Sequence, residues 1–262
     1  ILKPSTLMNT KLYAGNGGTQ SITGVGHQPD MTWIKQRNGT PDHYLFDAVR
    51  AVRNYITPNL ATQQQANATS LTAFNSDGFT LGSNAATNAN SGTFASWNWK
   101  ANGSGSSNSD GNITSTVSAN TTSGFSIVKY TGTQATATVG HGLGIAPKMI
   151  FFKNVDVADE WLVGANAGLV TFTQYAYLNL TNAFSGNGAA FFNNTNPTSS
   201  VFSLGNSSNI NKTGGAIMAY CFADVKGYSK IGSYVGTGNA NGPFQFLGFK
   251  PSWVLIKNTQ AN

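Results

Sequence analysis

One seven-residue wording occurs three times in this chain: PDMTWIK from Pro29, PKMIFFK from Pro147 and PSWVLIK from Pro251. Each is a proline, one variable residue, four mostly apolar β-formers and a lysine. Proline cannot donate to a β-ladder, so it suits the first residue of a strand, and the run behind it suits a buried strand. The lysines, Lys35, Lys153 and Lys257, are expected to return the chain to water, with Gln36, Asn154 or Asn258 following in turn chemistry. The copies lie 118 and 104 residues apart. Solenoid periods are roughly 20–50 residues, so the spacing points to repeated domains instead.

The repetition reaches well beyond that strand. KLYAGNG (11–17), VKYTGTQ (128–134) and GSYVGTG (232–238) each place a tyrosine two residues before a glycine. VGH occurs at 25–27 and at 139–141, NYITPNL (54–60) matches QYAYLNL (174–180), and FTLG (79–82) matches FSLG (202–205). Fifteen residues beyond Gly82 and Gly205 stand Trp97 and Tyr220, in FASWNWKA and IMAYCFA, with Trp99 and Phe222 two residues further on. Two-residue alternation puts Trp97 and Trp99 on one face, and two adjacent indoles belong in a core or an interface. The series is colinear and therefore reads as a duplication. It divides the chain into an entering linker (1–8), repeat 1 (9–101), a Ser/Gly/Asn-rich linker (102–123) and repeat 2 (124–226). Residues 227–262 either begin a truncated third repeat or supply closing strands to repeat 2. The start on Ile and the stop in mid-repeat suggest a piece of a longer polypeptide.

A chain of 262 residues can hold two domains of about 100 residues, each large enough for a core. Only 9% of residues are charged, against roughly 25% in an ordinary globular protein. Sixteen Phe, nine Tyr and five Trp are nevertheless too many for a solvated coil. Aromatics and β-branched residues among polar, uncharged turns indicate an all-β fold. The expected architecture is two tandem antiparallel β-sandwiches, jelly-roll or concanavalin-like, plus the start of a third repeat. Within repeat 1, Val49, Val52 and Ile56 have helical spacing, but the matching region of repeat 2 carries Gly164 and Gly168. A loop to residue 53 and an edge strand over 54–60 follow from that comparison. The net charge is +6; its lysines and arginines are spread too thinly for a nucleic-acid face. No stretch of about 18 apolar residues is present to span a membrane. Cys221, the single cysteine, sits in an apolar strand, so a buried thiol is expected and no disulfide within the chain can form.

Candidate chemistry is thin. His27 and His141 recur in VGH, but Gln245 takes that place in the third copy, and no Ser/His/Asp or Cys/His set recurs beside them. A histidine hydrogen-bonded to a loop is the simpler reading, and His43 has no counterpart. Asp42 and Asp47 in repeat 1 and Asp156, Asp159 and Glu160 in repeat 2 stand at different offsets, so they nominate no facing carboxylate pair. Asn154, Asp156, Asp159 and Glu160 offer oxygens to Ca²⁺ but lack loop spacing for it, and read as a solvated turn. The expectation is no enzyme, no metal and no cofactor. The positions worth following are structural: Pro29, Lys35, Gly82, Trp97, Trp99, Pro147, Lys153, Gly205, Tyr220, Phe222, Pro251 and Lys257.

Four long strings carry a family likeness: VGHQPDMTWIKQRNGTPDHYLFDAVR, LTAFNSDGFTLGSNAATNANSGTFASWNWKA, GFSIVKYTGTQATATVGHGLGIAPKMIFFKN and YCFADVKGYSKIGSYVGTG. They resemble a tandem domain of marine bacteriophage structural proteins of tail-fibre-like type, over nearly the whole chain. The polar stretch after repeat 1 and the short third copy depart from that pattern. The resemblance implies a virion protein with a β-sandwich, and it brings no catalytic motif. It further implies a part of a tail fibre or similar appendage, assembled as a homo-oligomer with a trimer favoured, among other virion proteins and in reach of a host surface glycan. A carbohydrate-binding module and a capsid-decorating or head-fibre protein are the alternatives.

Overall fold

A computed structural model describes residues 3–260. After a single 3₁₀ turn at Pro4–Thr6, the first copy runs through β1 (Met8–Ala14), β2 (Gln20–Thr23), β3 (Met31–Gln36), β4 (Tyr44–Asp47), β5 (Asn54–Tyr55) and β6 (Gln65–Ala66). It continues with β7 (Leu71–Asn75), β8 (Gly78–Leu81), the one-turn helix α1 (Ala85–Asn88) and β9 (Thr93–Trp99). Two strands follow in the junction, β10 (Ser106–Asn108) and β11 (Ser115–Asn120). The second copy comprises β12 (Phe125–Thr131), β13 (Ala137–Gly140), β14 (Met149–Asn154), β15 (Leu162–Ala165), β16 (Gln174–Tyr177) and β17 (Ser185–Gly186). Helix α2 (Gly188–Phe192), β18 (Val201–Leu204), helix α3 (Ser208–Asn211) and β19 (Ala216–Phe222) complete it. The fold is all-β, and its sheets are antiparallel.

The copies share a strand order. The first sheet runs β1-β9-β3-β4, and the core of the eight-stranded second sheet runs β12-β19-β14-β15. Register fixes the equivalences residue by residue. Trp97 stands between Thr10 and Trp33, as Tyr220 stands between Ile127 and Phe151. Met31 and Met149 lie opposite Trp99 and Phe222, which puts Pro29 on Pro147 and Lys35 on Lys153. Phe79 pairs with Ile22 and Phe202 with Val139, so Gly82 and Gly205 coincide. That last pairing corrects the VGH alignment. Val139 matches Ile22, not Val25, so His27 and His141 occupy different places in the two copies.

Three cores alternate with the sheets. Ile22, Ile34, Phe46, Leu71, Phe79, Leu81 and Phe94 fill the space between the first sheet and the smaller β2-β8-β7 sheet. Val139, Ile150, Phe152, Phe202, Leu204, Ile217 and Cys221 do the same between the second sheet and the β13-β18 pair. Between the two main sheets lies a third core, with Met31, Trp33 and Trp99 from one copy against Phe151, Trp161, Tyr220 and Phe222 from the other. The strand sequences explain the layering. In β19, Ile217, Ala219 and Cys221 point to one core while Met218, Tyr220 and Phe222 point to the other. A strand apolar on both sides is stable only when covered on both. The copies are therefore fused through a common core, where two separate sandwiches had been expected.

Several expectations need correction. The polar stretch 102–123 is not a free linker: β10 and β11 add to the second sheet, with β11 paired to β12 from Ser115↔Tyr130 to Asn120↔Phe125. The strand expected over 54–60 covers only Asn54–Tyr55, while β4 and β15 fall in what the sequence presented as loop. Its matching of Ile56 with Ala176 does hold, because these residues meet Leu45 and Val163 in turn. Residues 227–260 neither start a regular third repeat nor close the second: past β19 the described residues form no strand, only an isolated Val225–Ser229 bridge.

Candidate functional site

The duplicated tyrosine, glycine and asparagine build one device, present twice. Tyr13 donates its hydroxyl to the Thr87 carbonyl at 2.7 Å, and Tyr130 donates to the Ile210 carbonyl at 2.6 Å. Each thus satisfies a backbone acceptor in a one-turn helix, where such groups have few intrahelical partners. The next residue of each helix, Asn88 or Asn211, is fully buried. Asn88 donates to the Gly18 and Gly82 carbonyls at 2.6 and 2.8 Å, and Asn211 donates to those of Ala135 and Gly205 at 2.8 and 2.6 Å. The glycines make room for this knot. A Cβ on Gly82 would lie 2.6 Å from the Thr69 oxygen, and one on Gly205 would lie 2.3 Å from two carbonyl oxygens of α2.

The repeat lysines form a second duplicated device. Lys35 donates to the Pro41 carbonyl at 2.8 Å, and Lys153 donates to the Asp159 carbonyl, six residues on in each case. Each ammonium staples the loop after its strand. Lys153 is 0% exposed and donates also to the Ala61 carbonyl of the first copy, at 3.2 Å. At Lys153 the expected return to water is thus overturned: a buried ammonium persists where carbonyls satisfy it. Burial lowers its pKa to about 8, against the opposing pull of Asp159 and Glu160. Lys257 donates to the Leu180 carbonyl at 2.9 Å.

Asp47, Arg50 and Tyr220 form a polar seam in the shared core. Asp47 accepts the Arg50 backbone N–H at 2.8 Å and its Nε–H at 2.6 Å, and accepts the Tyr220 hydroxyl at 2.6 Å. Arg50 donates further to the Leu45 carbonyl at 3.0 Å. Burial opposes the guanidinium's charge, yet Asp47 and Tyr220 outweigh it and hold the Arg50 pKa above its ordinary value. Trp161 stacks on Tyr220 and donates its indole N–H to Thr57 across the copies at 2.9 Å. In the second copy Ala165 and Gly168 stand where Asp47 and Arg50 would be, so the seam is not duplicated.

The remaining candidates are spoken for. His141 accepts the Leu143 N–H at 3.2 Å with its second ring nitrogen 3.2 Å from the Thr198 carbonyl, the loop role expected of it. His27 departs from that role: it is buried with both ring nitrogens lacking a hydrogen-bond partner among the described residues. Burial lowers the pKa of both imidazoles. Of the carboxylates weighed for Ca²⁺, Asp156 accepts the Ala216 N–H, Asp159 accepts Asn209 and Glu160 accepts Asn179, so they diverge. Cys221 is buried, which pushes its thiol up to about 12 and leaves no thiolate for chemistry. A groove of about 210 Å³ lies between the copies, lined by Trp33, His43, Asn59, Asn179 and Leu255. Its amides are committed: Asn59 accepts the His43 N–H and donates to Asp42, while Asn179 accepts the Trp161 N–H and donates to Glu160. A second groove, of about 300 Å³, holds Lys148 and the Lys230–Asp224 pair.

Comparison with known proteins takes the chain as one unit. Residues 3–262 match the family described as a domain of unknown function, DUF7483. The chain belongs to that family. No curated protein and no solved structure matches it. The family match runs unbroken through both copies and the segment after them. Of Asn88, Asn211, Arg50 and Trp161, only the two asparagines carry a signal in the sequence. GSNAATN and GNSSNIN share glycine and asparagine six residues apart, so the asparagine knot was readable. Arg50 and Trp161 occur in one copy only, and nothing in the repeat could mark them.

Proposed function

We propose that this chain is a virion structural module without catalytic activity, part of a bacteriophage tail fibre or similar appendage, working as a homo-oligomer. The observation that carries this reading is the use made of its ionisable groups. Lys35, Lys153 and Lys257 bind backbone carbonyls, and Asp47, held by Arg50, takes the Tyr220 hydroxyl across the two copies. The duplicated devices are scaffolding, whereas a reaction centre inherited by duplication would keep a paired set of acid, base or nucleophile in both copies. The fibre assignment and the trimer rest on the resemblance in the sequence. Antibody-gold labelling of purified particles tests the assignment: gold on a tail appendage is expected. Gold on the head would establish the capsid-decorating alternative, and particles without gold would overturn the virion reading.

A glycan-binding role is the second reading, favoured by the exposed rings of Tyr234, Phe244 and Phe246. Sugars stack on bare aromatic faces, and Trp33, Trp99, Tyr220 and Phe222 offer none. A glycan array probed with the full chain checks this. Saturable binding lost in a Tyr234→Ala variant would favour that role over pure scaffolding.

A further inference from the structure

The groove between the copies is itself a product of the duplication. Glu160 follows Asp42 by 118 residues, the same separation as Lys153 from Lys35. The acids were expected at different offsets; these two coincide. Ile56 and Ala176 are equivalent, which puts Pro58 on Leu178 and Asn59 on Asn179. All four of those last residues line the groove. Each asparagine accepts the backbone N–H that follows its acid, from His43 at 2.9 Å or Trp161 at 3.0 Å. Each also donates to the acid itself, Asp42 at 2.8 Å or Glu160. The groove is therefore flanked by two copies of one carboxylate–amide pair.

These bonds decide what the groove presents. An amide has one oxygen and two N–H groups. Each oxygen here already accepts a backbone N–H, and each Nδ2 keeps one N–H without a partner among the described residues. Trp33 donates its indole N–H to His43 Nδ1 at 2.8 Å, so the uncharged imidazole carries its own proton on Nε2. Burial, with Lys35 adding to it, lowers the His43 pKa from 6.5 and keeps the ring uncharged at neutral pH. The polar lining thus offers three N–H donors, with a carboxylate behind two of them. Donors repel a hard cation, which takes oxygen ligands, and the carboxylates disfavour an anion. A neutral ligand rich in acceptor oxygens fits.

The rest of the lining is apolar, from Trp33, Pro58, Leu178 and Leu255. Trp253 packs 5.4 Å from Trp99 and 6.5 Å from Trp33, and Lys257 holds the Leu180 carbonyl, so Leu255 between them is fixed as a wall. At about 210 Å³ the groove is smaller than the roughly 300–1,000 Å³ clefts of drug-sized ligands, and it suits a single ring.

We propose that this groove binds one neutral sugar ring, whose oxygens accept from Asn59, Asn179 and His43 while its C–H face lies on Pro58, Leu178 and Leu255. Each carboxylate is held by its own asparagine, which orders a donor and leaves the site one of recognition. The inference goes beyond the glycan reading drawn from the exposed rings, because it rests on different residues.

The test titrates the full chain with the methyl glycosides of glucose, galactose, mannose and N-acetylglucosamine, following the His43 ring and Trp33 indole signals by NMR. Saturable shifts of both signals with at least one glycoside are expected. Asn59→Ala should weaken that binding about fivefold, the effect of one lost hydrogen bond, and Leu255→Glu should weaken it further. Both variants change exposed side chains and should keep the thermal midpoint, and Tyr234→Ala should leave this binding unchanged. No saturable shift with any of these glycosides would overturn the proposal, as would shifts produced only by Ca²⁺ or by a sialic acid. Binding that survives Leu255→Glu but is lost in Tyr234→Ala would also overturn it, and would place the sugar on the exposed rings.

Discussion

Asn88 and Asn211 show how much one side chain can carry. Each amide satisfies two buried carbonyls, and its oxygen accepts a backbone N–H, from Asn16 at 3.0 Å or Thr133 at 2.8 Å. Alanine at either position strands three backbone groups, and each buried group left unpaired costs about 1–3 kcal/mol. Urea denaturation of Asn88→Ala and Asn211→Ala should each show a loss of about 3 kcal/mol, since water can reach some of the freed groups. A loss in one copy alone would contradict the equivalence of the two knots. Arg50 is the sharper case, because Arg50→Met leaves Asp47 charged and buried with only Tyr220 and one N–H. Breaking a buried pair in this way costs about 3–5 kcal/mol. The histidines set a pH dependence. Burial lowers His27 and His141 from 6.5, so the unfolded chain takes up protons first as pH falls. Their contribution to stability is complete above pH 6.5 and is lost as pH falls toward their lowered folded values. The urea midpoint should be lower at pH 5.5 than at 7.5, and His141→Gln should flatten that slope. The lysines teach why one reading failed. A Lys after an apolar strand ordinarily marks return to solvent, and only the tertiary placement of Pro41, Ala61 and Asp159 carbonyls reveals a staple.

At the scale of elements, the closing strands β9 and β19 organise the molecule. Each lies at the centre of its sheet and buries residues on both faces, so truncation there opens a cavity that no neighbour can fill. Trp99→Ala or Phe222→Ala should destabilise by about 3–5 kcal/mol in chemical denaturation. These strands were legible because aromatic alternation and the repeat agreed with each other. So were β3 and β14, whose prolines are buried at their starts. Strands β4 and β15 were less visible: four residues each, with Asp47 or Gly164 breaking the apolar pattern. Strands β10 and β11 were hidden for a different reason. Ser, Asn and Thr dominate them, and backbone pairing to β12 at a sheet edge does not depend on side-chain hydrophobicity. In the third copy the repeated wording is intact, yet residues 229–258 form no strand.

At the scale of the molecule, duplication and fusion act together. Trp33 and Trp99 pack in one core with Trp161, Tyr220 and Phe222, and the Asp47–Tyr220 bond ties the two sheets at 2.6 Å. Neither copy keeps its aromatic face covered without the other. The oligomer proposed for the fibre belongs to this scale too: light scattering of the full chain at micromolar concentration should give a multiple of 27.5 kDa, and a stable monomer would count against it. The shared core itself has a more direct readout. Two tandem domains with separate cores unfold in separate steps, whereas copies built on one core unfold together. Differential scanning calorimetry of the full chain should therefore give a single transition whose calorimetric and van't Hoff enthalpies agree. Two resolved transitions, each with about half the total enthalpy, would contradict the fused core.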